Sequence, residues 1–96
     1  MKWNITFSNK AAKQIKKLPK SVQSTLLLLV RDLAANGPTT SGTWKNYGKL
    51  KGASSDLRHC HLIKGRPTYV CCWEVKSKKL KIMEVYYAGT HEKAPY

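Results

Sequence analysis

Three histidines and a terminal tyrosine are the residues of this 96-residue chain whose types and spacing could do chemistry. His59 and His61 stand two apart in the run Leu57-Arg58-His59-Cys60-His61-Leu62-Ile63. His91 and Tyr96 fall in the closing segment Gly89-Thr90-His91-Glu92-Lys93-Ala94-Pro95-Tyr96. Histidine is the one side chain whose ordinary pKa lies near neutrality, so an imidazole can take a proton from one group and give one to another at physiological pH. Tyrosine adds a hydroxyl and a flat ring on which a nucleobase can stack. Such a tail, following an apolar strand pattern, is a poor recipe for a core.

The surrounding elements must bring these groups together. Trp3, Ile5 and Phe7 alternate with Asn4 and Thr6, the period of a half-buried strand. Ser8 is an N-cap, and Ala11, Ala12, Ile15 and Leu18 recur at helical spacing until Pro19, which suits the first turn of a second helix over 20–35. Val22, Leu26, Leu29, Val30 and Leu33 form its stripe, and Asn36-Gly37-Pro38 ends it through a left-handed cap. Leu27 and Leu28 fall to either side of the stripe, so at least one packs on the first helix or faces outward. A Gly, Pro, Thr and Ser loop over 37–43 leads to strands over 44–50, 57–63, 68–75 and 80–87, with turns at 52–55, 64–67 and 76–79.

These elements predict a single α+β domain over 1–96, in the order β-α-α-β-β-β-β. Short turns imply a twisted, antiparallel-dominated sheet with the helical hairpin on one face and the other face open. Strand alternation puts His59 and His61 on one face and Arg58, Cys60 and Leu62 on the other. If Cys60 and Leu62 pack on the helices, both histidines stand on the open face, and the last strand carries His91 and Tyr96 to its rim. The run 69–73 is apolar on both faces and decides neither. Trp3, Trp44 and Trp73 read as core or sheet-packing residues.

Charge narrows the partners. Eighteen Lys and Arg against five Asp and Glu leave +13, with seven basic and one acidic residue up to Thr43 and eleven and four beyond it. The excess runs through the fold and calls for a polyanion, either nucleic acid or an acidic protein. The clusters Lys13-Lys16-Lys17-Lys20 and Lys76-Lys78-Lys79-Lys81 are solvated faces or grips on RNA phosphates. The N-terminus lacks an apolar leader, and the longest apolar run, 26–30, is far below a membrane span, so a cytoplasmic location without membrane contact is expected. Three cysteines, two of them adjacent, are no disulfide framework. Nor do His59, Cys60, His61, Cys71, Cys72 and His91 read as a zinc site. Neighbouring strand residues point to opposite faces and no Cys-x-x-Cys spacing occurs, so neither metal nor cofactor is expected.

The element order, the charge, Tyr47-Gly48-Lys49-Leu50-Lys51-Gly52, Cys60-His61-Leu62, the Gly65-Arg66-Pro67 turn and Gly89-Thr90-His91-Glu92 together resemble the RelE/YafQ branch of the RelE/ParE toxin superfamily over essentially the whole chain. The resemblance implies the toxin of a toxin-antitoxin pair that cuts mRNA in the ribosomal A site without a metal. It places His61 on the family's basic or histidine position, His59 on its companion, His91 on the closing histidine or arginine, and Tyr96 near the C-terminal aromatic. YafQ-like members carry a histidine close to Tyr47-Gly48-Lys49; here Lys49 or Lys51 would supply that charge. Arg66 stands in for the arginine that RelE-like members place after the turn. The resemblance also implies a cognate antitoxin that meets the helical hairpin near Leu27 or Leu28, contact with mRNA and ribosomal RNA, and operator DNA as an indirect ligand of the toxin-antitoxin complex.

Cleaving RNA without a metal needs a base for the 2′-OH proton, positive charge at the phosphoryl oxygens and an acid for the leaving 5′-oxygen. His61 is assigned as base and His91 as acid, with the two roles exchangeable. Tyr96 is a stacking ring or auxiliary proton donor, His59, Lys49, Lys51 and Arg66 are substrate contacts, and the lysines and arginine among these stabilise charge. Two other classes remain open: a ParE-like DNA gyrase inhibitor, which needs no proton-transfer groups, and a non-catalytic or decayed RNA-binding module.

Overall fold

A computed structural model describes residues 2–38, 44–50 and 54–96. Strand β1 (Asn4–Phe7) leads into helix α1 (Asn9–Lys16) and then helix α2 (Lys20–Asn36). Ser8 caps α1 as its sequence predicts, its hydroxyl accepting the Ala11 N–H at 3.1 Å. The hairpin turn is held by Gln23, whose amide donates to the carbonyls of Ile15 and Leu18, both at 3.0 Å, and so ties the start of α2 to the end of α1 and the turn after it. Gly37 ends α2 at φ +83°, its N–H donating to the Leu33 carbonyl at 2.9 Å. Its missing side chain also makes room for Trp3, since a Cβ here would lie 2.9 Å from the indole Nε1.

Four further strands follow: β2 (Lys45–Lys49), β3 (Leu57–Ile63), β4 (Tyr69–Ser77) and β5 (Ile82–Thr90), then a 3₁₀ turn (His91–Lys93). They form one five-stranded sheet in the order β1-β5-β4-β3-β2. β1 lies parallel to β5, and the other pairings are antiparallel. The α+β order β-α-α-β-β-β-β is therefore as the sequence predicts. Among the described residues no helix is long and apolar enough to cross a membrane.

The main core lies between the helices and one face of the sheet. Val22, Leu26, Leu29 and Leu33 of α2 and Ala11 of α1 meet Cys60 and Leu62 of β3, Cys71, Trp73 and Val75 of β4, and Met83, Val85 and Ala88 of β5. The undecided run on β4 thus resolves: Cys71 and Trp73 face the helices, and Val70 and Cys72 face away. On that second face a smaller apolar cluster forms from Val70, Cys72 and Tyr87, with Tyr86 and Ala94 packed against it. Two adjacent tyrosines reach the same face because β5 is bulged. Cys72 pairs with Tyr87 but Trp73 pairs with Val85, so Tyr86 is the extra residue.

Two element ends differ from the sequence reading. β5 continues to Thr90 instead of stopping near 87, because Gly89 and Thr90 pair with Val70 and Tyr69 and Ala88 is buried in the core. Glycine suits this place, since a Cβ at Gly89 would lie 2.8 Å from the Tyr87 hydroxyl. β4 runs on to Ser77, and the turn before β5 is taken at 78–81, where Lys81 adopts φ +56°.

Candidate active site

Strand β3 supplies the first two groups. Cys60 and Leu62 are buried against the helices, so His59 and His61 stand on the other face, as alternation requires. His59 lies between Gly48 of β2 and Cys72 of β4. At Gly48 a Cβ would come only to 3.7 Å from the His59 Nε2, so this glycine leaves space beside the ring without being forced by it. His61 lies next along the face, paired with Val70 of β4.

The end of β5 and the tail supply the rest. His91 opens the 3₁₀ turn, its backbone N–H donating to the Thr68 carbonyl at 2.8 Å, which fixes it beside the start of β4. Just before it, the Tyr87 hydroxyl donates to the Thr90 carbonyl at 2.7 Å and braces the strand end. Ala94 packs on the small apolar cluster, so the tail folds back over the face. Tyr96 is thereby laid on His59, with ring centroids 4.6 Å apart and planes 27° from parallel. His91 meets His61 edge-to-face at 5.2 Å and Tyr96 edge-to-face at 5.9 Å. Four rings from two separate segments, strand β3 and the closing residues 91–96, thus form one continuous cluster.

The electrostatics of this cluster favour the neutral forms of His59 and His61. Burial holds His59 below the ordinary histidine pKa, and repulsion from His61 and His91 adds to it. His61 is lowered in the same way, by burial and then by His91 and Lys64. Burial raises the Tyr96 phenol, which stays protonated at neutral pH and able to donate. Among the described residues two buried polar atoms on this side find no hydrogen-bond partner, the His59 Nδ1 and the Tyr86 hydroxyl. Burial pushes the Tyr86 phenol well above its usual range and the Cys72 thiol beside it up to about 12, so neither serves as a nucleophile.

Not every predicted contact joins the cluster. Lys49 pairs across the ladder with Arg58, which puts it on the helix side of the sheet, and its ammonium lies 4.0 Å from the Asp56 carboxylate. Lys51 lies outside the described residues. Arg66 is exposed in the turn between β3 and β4, at the end of the sheet where His61 and His91 meet. Sequence reasoning passed over Lys64, whose charge reaches His61. The signal was available in its place, directly after β3 and three residues from His61. Arg58 is committed elsewhere, its guanidinium bonded to Asp56 at 2.9 Å and to the Tyr47 hydroxyl at 3.2 Å. Among the described residues no three His, Cys, Asp or Glu side chains are placed to hold a metal ion.

Solved structures with this architecture share it over nearly their whole length. The archaeal RelE-RelB complex from Pyrococcus horikoshii aligns with a TM-score of 0.74 at 21% identity, covering 98% of this chain and 100% of that one. The chain has the RelE fold. The YoeB dimer from Staphylococcus aureus aligns with a TM-score of 0.73 at 17% identity, covering 95% of this chain and 99% of that one. A metal-bound toxin from Helicobacter pylori gives 0.73 at 26% identity, covering 95% and 97%. No protein-family model and no curated protein matches the chain. On this RelE fold the ring cluster occupies the sheet face that the helices leave uncovered.

Proposed function

We propose that this chain is a toxin of the RelE/ParE superfamily that cleaves mRNA in the ribosomal A site by acid-base catalysis, without a metal ion. The observation that carries the reading is the meeting of His61 and His91, 5.2 Å apart between ring centroids, on an uncovered face of a +13 protein. A phosphodiester seated over this pair has a proton acceptor and a proton donor within reach. His61, held neutral by burial, takes the proton of the 2′-OH, and the 2′-oxygen attacks phosphorus. His91 in its protonated form gives its proton to the departing 5′-oxygen, leaving a 2′,3′-cyclic phosphate and a 5′-hydroxyl. Lys64 and Arg66 supply positive charge at the same end, and the exposed ring of Tyr96 offers a base a stacking surface. The decoding site would impose the in-line geometry that a shallow face cannot.

An antitoxin is the second part of the proposal. An apolar cavity of about 460 Å³ opens between β1 and the helical hairpin, lined by Phe7, Ile15, Leu26, Leu27 and Val30, with Lys20 at its edge. Leu27 and Leu28 are 52% and 58% exposed, more apolar surface than a solvated helix face needs. An apolar helix with acidic flanks fits this groove and the lysines around it, and the complex could then bind operator DNA.

Expression of the wild type beside His91→Ala tests the enzymatic reading. Growth arrest and codon-phased cuts on translated mRNA, read by primer extension, disappear in the folded variant. Equal toxicity of the two proteins would instead favour a gyrase-directed or purely binding role.

A further inference from the structure

A second feature lies around the corner from the ring cluster. Between α1 and the end of β5 runs an open groove of about 540 Å³ whose lining includes Lys10, Lys17, Lys93, Gln14, Tyr69 and Tyr87, and no carboxylate. Lys10 and Gln14 of α1 and its C-cap residue Lys17 recur at helical spacing, so they form one stripe, with the two lysines about 10 Å apart along the axis. Lys93 faces them from the 3₁₀ turn. None of these three lysines joins the ion pairs found among the described residues, whereas Lys76 is paired with both Glu74 and Glu84. Three ammonium groups around one groove repel one another, a cost that a polyanion removes.

The groove is continuous with the proposed active face. Tyr69 packs against the helix-side core, whereas Tyr87 belongs to the cluster on the histidine side, and both line the groove. It therefore passes around the end of the sheet from one face to the other. Thr90, part of its wall, is followed directly by His91. A strand leaving the histidine pair would enter the groove next, finding ammonium groups for its phosphates and the half-buried Tyr69 ring for a base, while the buried Tyr87 forms the floor.

We infer that this groove binds the phosphate backbone of the single RNA strand whose neighbouring linkage lies over His61 and His91; the inference rests on the RNA-cleavage reading for that second part only. Its test uses the full chain and 2′-O-methyl RNA of about twelve nucleotides, within the range one small domain spans. That RNA has no free 2′-OH, so binding is read without cleavage, by fluorescence anisotropy over a salt series. The variant Lys10→Gln/Lys17→Gln/Lys93→Gln is compared with Lys2→Gln/Lys78→Gln/Lys79→Gln, since each lowers the formal charge of +13 by three. Thermal unfolding confirms that both are folded.

Each phosphate that the protein no longer neutralises lowers the slope of log K against log salt by about 0.7, so the groove variant loses about 2 and the control variant much less. Equal slopes in the two variants, or a wild-type slope in the groove variant, overturn the inference. So does a poly-glutamate peptide that binds as tightly as the RNA with the same dependence on the three lysines, which would make the groove a seat for an acidic protein segment. The two readings fail separately: a cleavage-competent His91→Ala removes the chemistry and leaves the groove standing, whereas wild-type RNA binding by the groove variant removes the groove alone.

Discussion

Replacing Tyr96 by alanine probes the ring cluster where it is most exposed to test. Tyr96 is the last residue, 48% exposed, and its anchorage is the stack on His59 together with the edge contact to His91. An aromatic pair of this geometry contributes about 0.5–1.5 kcal/mol beyond area burial. Covering roughly 100 Å² of ring at 25 cal/mol/Å² adds about 2.5 kcal/mol, against which ordering a terminal residue costs about 1–2 kcal/mol. The net loss is about 1–3 kcal/mol, and each kcal/mol lowers Tm by about 4–8 °C for a domain of this size. Uncovering the ring should also let the His59 pKa rise toward 6.5, because burial is the first cause of its depression. Thermal unfolding gives the first quantity and the NMR titration of the imidazole the second. Tyr96→Phe, which keeps the ring, should preserve both; if it also preserves cleavage, the ring stacks and the hydroxyl is no proton donor. Should Tyr96→Ala leave Tm and the His59 titration as in wild type, the stack contributes nothing and the tail does not close the face.

The lowered pKa values of His59 and His61 give a pH dependence of stability. Groups depressed below 6.5 in the folded state bind more protons when unfolded, so stability is complete above about pH 6.5 and declines as pH falls through the folded values; urea midpoints at two pH values should show this, and His59→Gln should reduce the difference. Gly37→Ala meets both a left-handed φ and the Trp3 indole, and should cost about 1–3 kcal/mol by chemical denaturation. Leu27→Glu with Leu28→Glu should abolish capture of the antitoxin in a pull-down while changing stability by no more than about 0.5 kcal/mol, since both side chains are largely exposed; unaltered capture would place the partner elsewhere.

The positions of the catalytic candidates are legible in the sequence to different degrees, for reasons that lie in the chain. His59 and His61 can be assigned to the open face because Cys60 and Leu62 between and beyond them are apolar and demand the helices. No such contrast exists along β4, where Val70 and Cys72 find a second apolar cluster of their own. The bulge that turns both Tyr86 and Tyr87 outward leaves no mark on a single sequence, because it depends on which partner residue is skipped. Lys49 stands in a suggestive motif, but its face follows from pairing with Arg58, and register is a property of two strands at once. His91 and Tyr96 fold back over the face through two tertiary contacts, the His91 N–H on the Thr68 carbonyl and Ala94 on the small apolar cluster, which the sequence alone does not display.

Single-turnover cleavage of translated mRNA by His61→Ala, His91→Ala and the double variant addresses the pairing of the two imidazoles most directly. General acid-base groups contribute about 10²–10⁴ each, so each single variant should lose that much while remaining folded. If the two serve the two proton transfers of one concerted transesterification, the double variant should fall short of the product of the two losses. A folded His61 or His91 variant that cuts at the wild-type rate would contradict the mechanism outright.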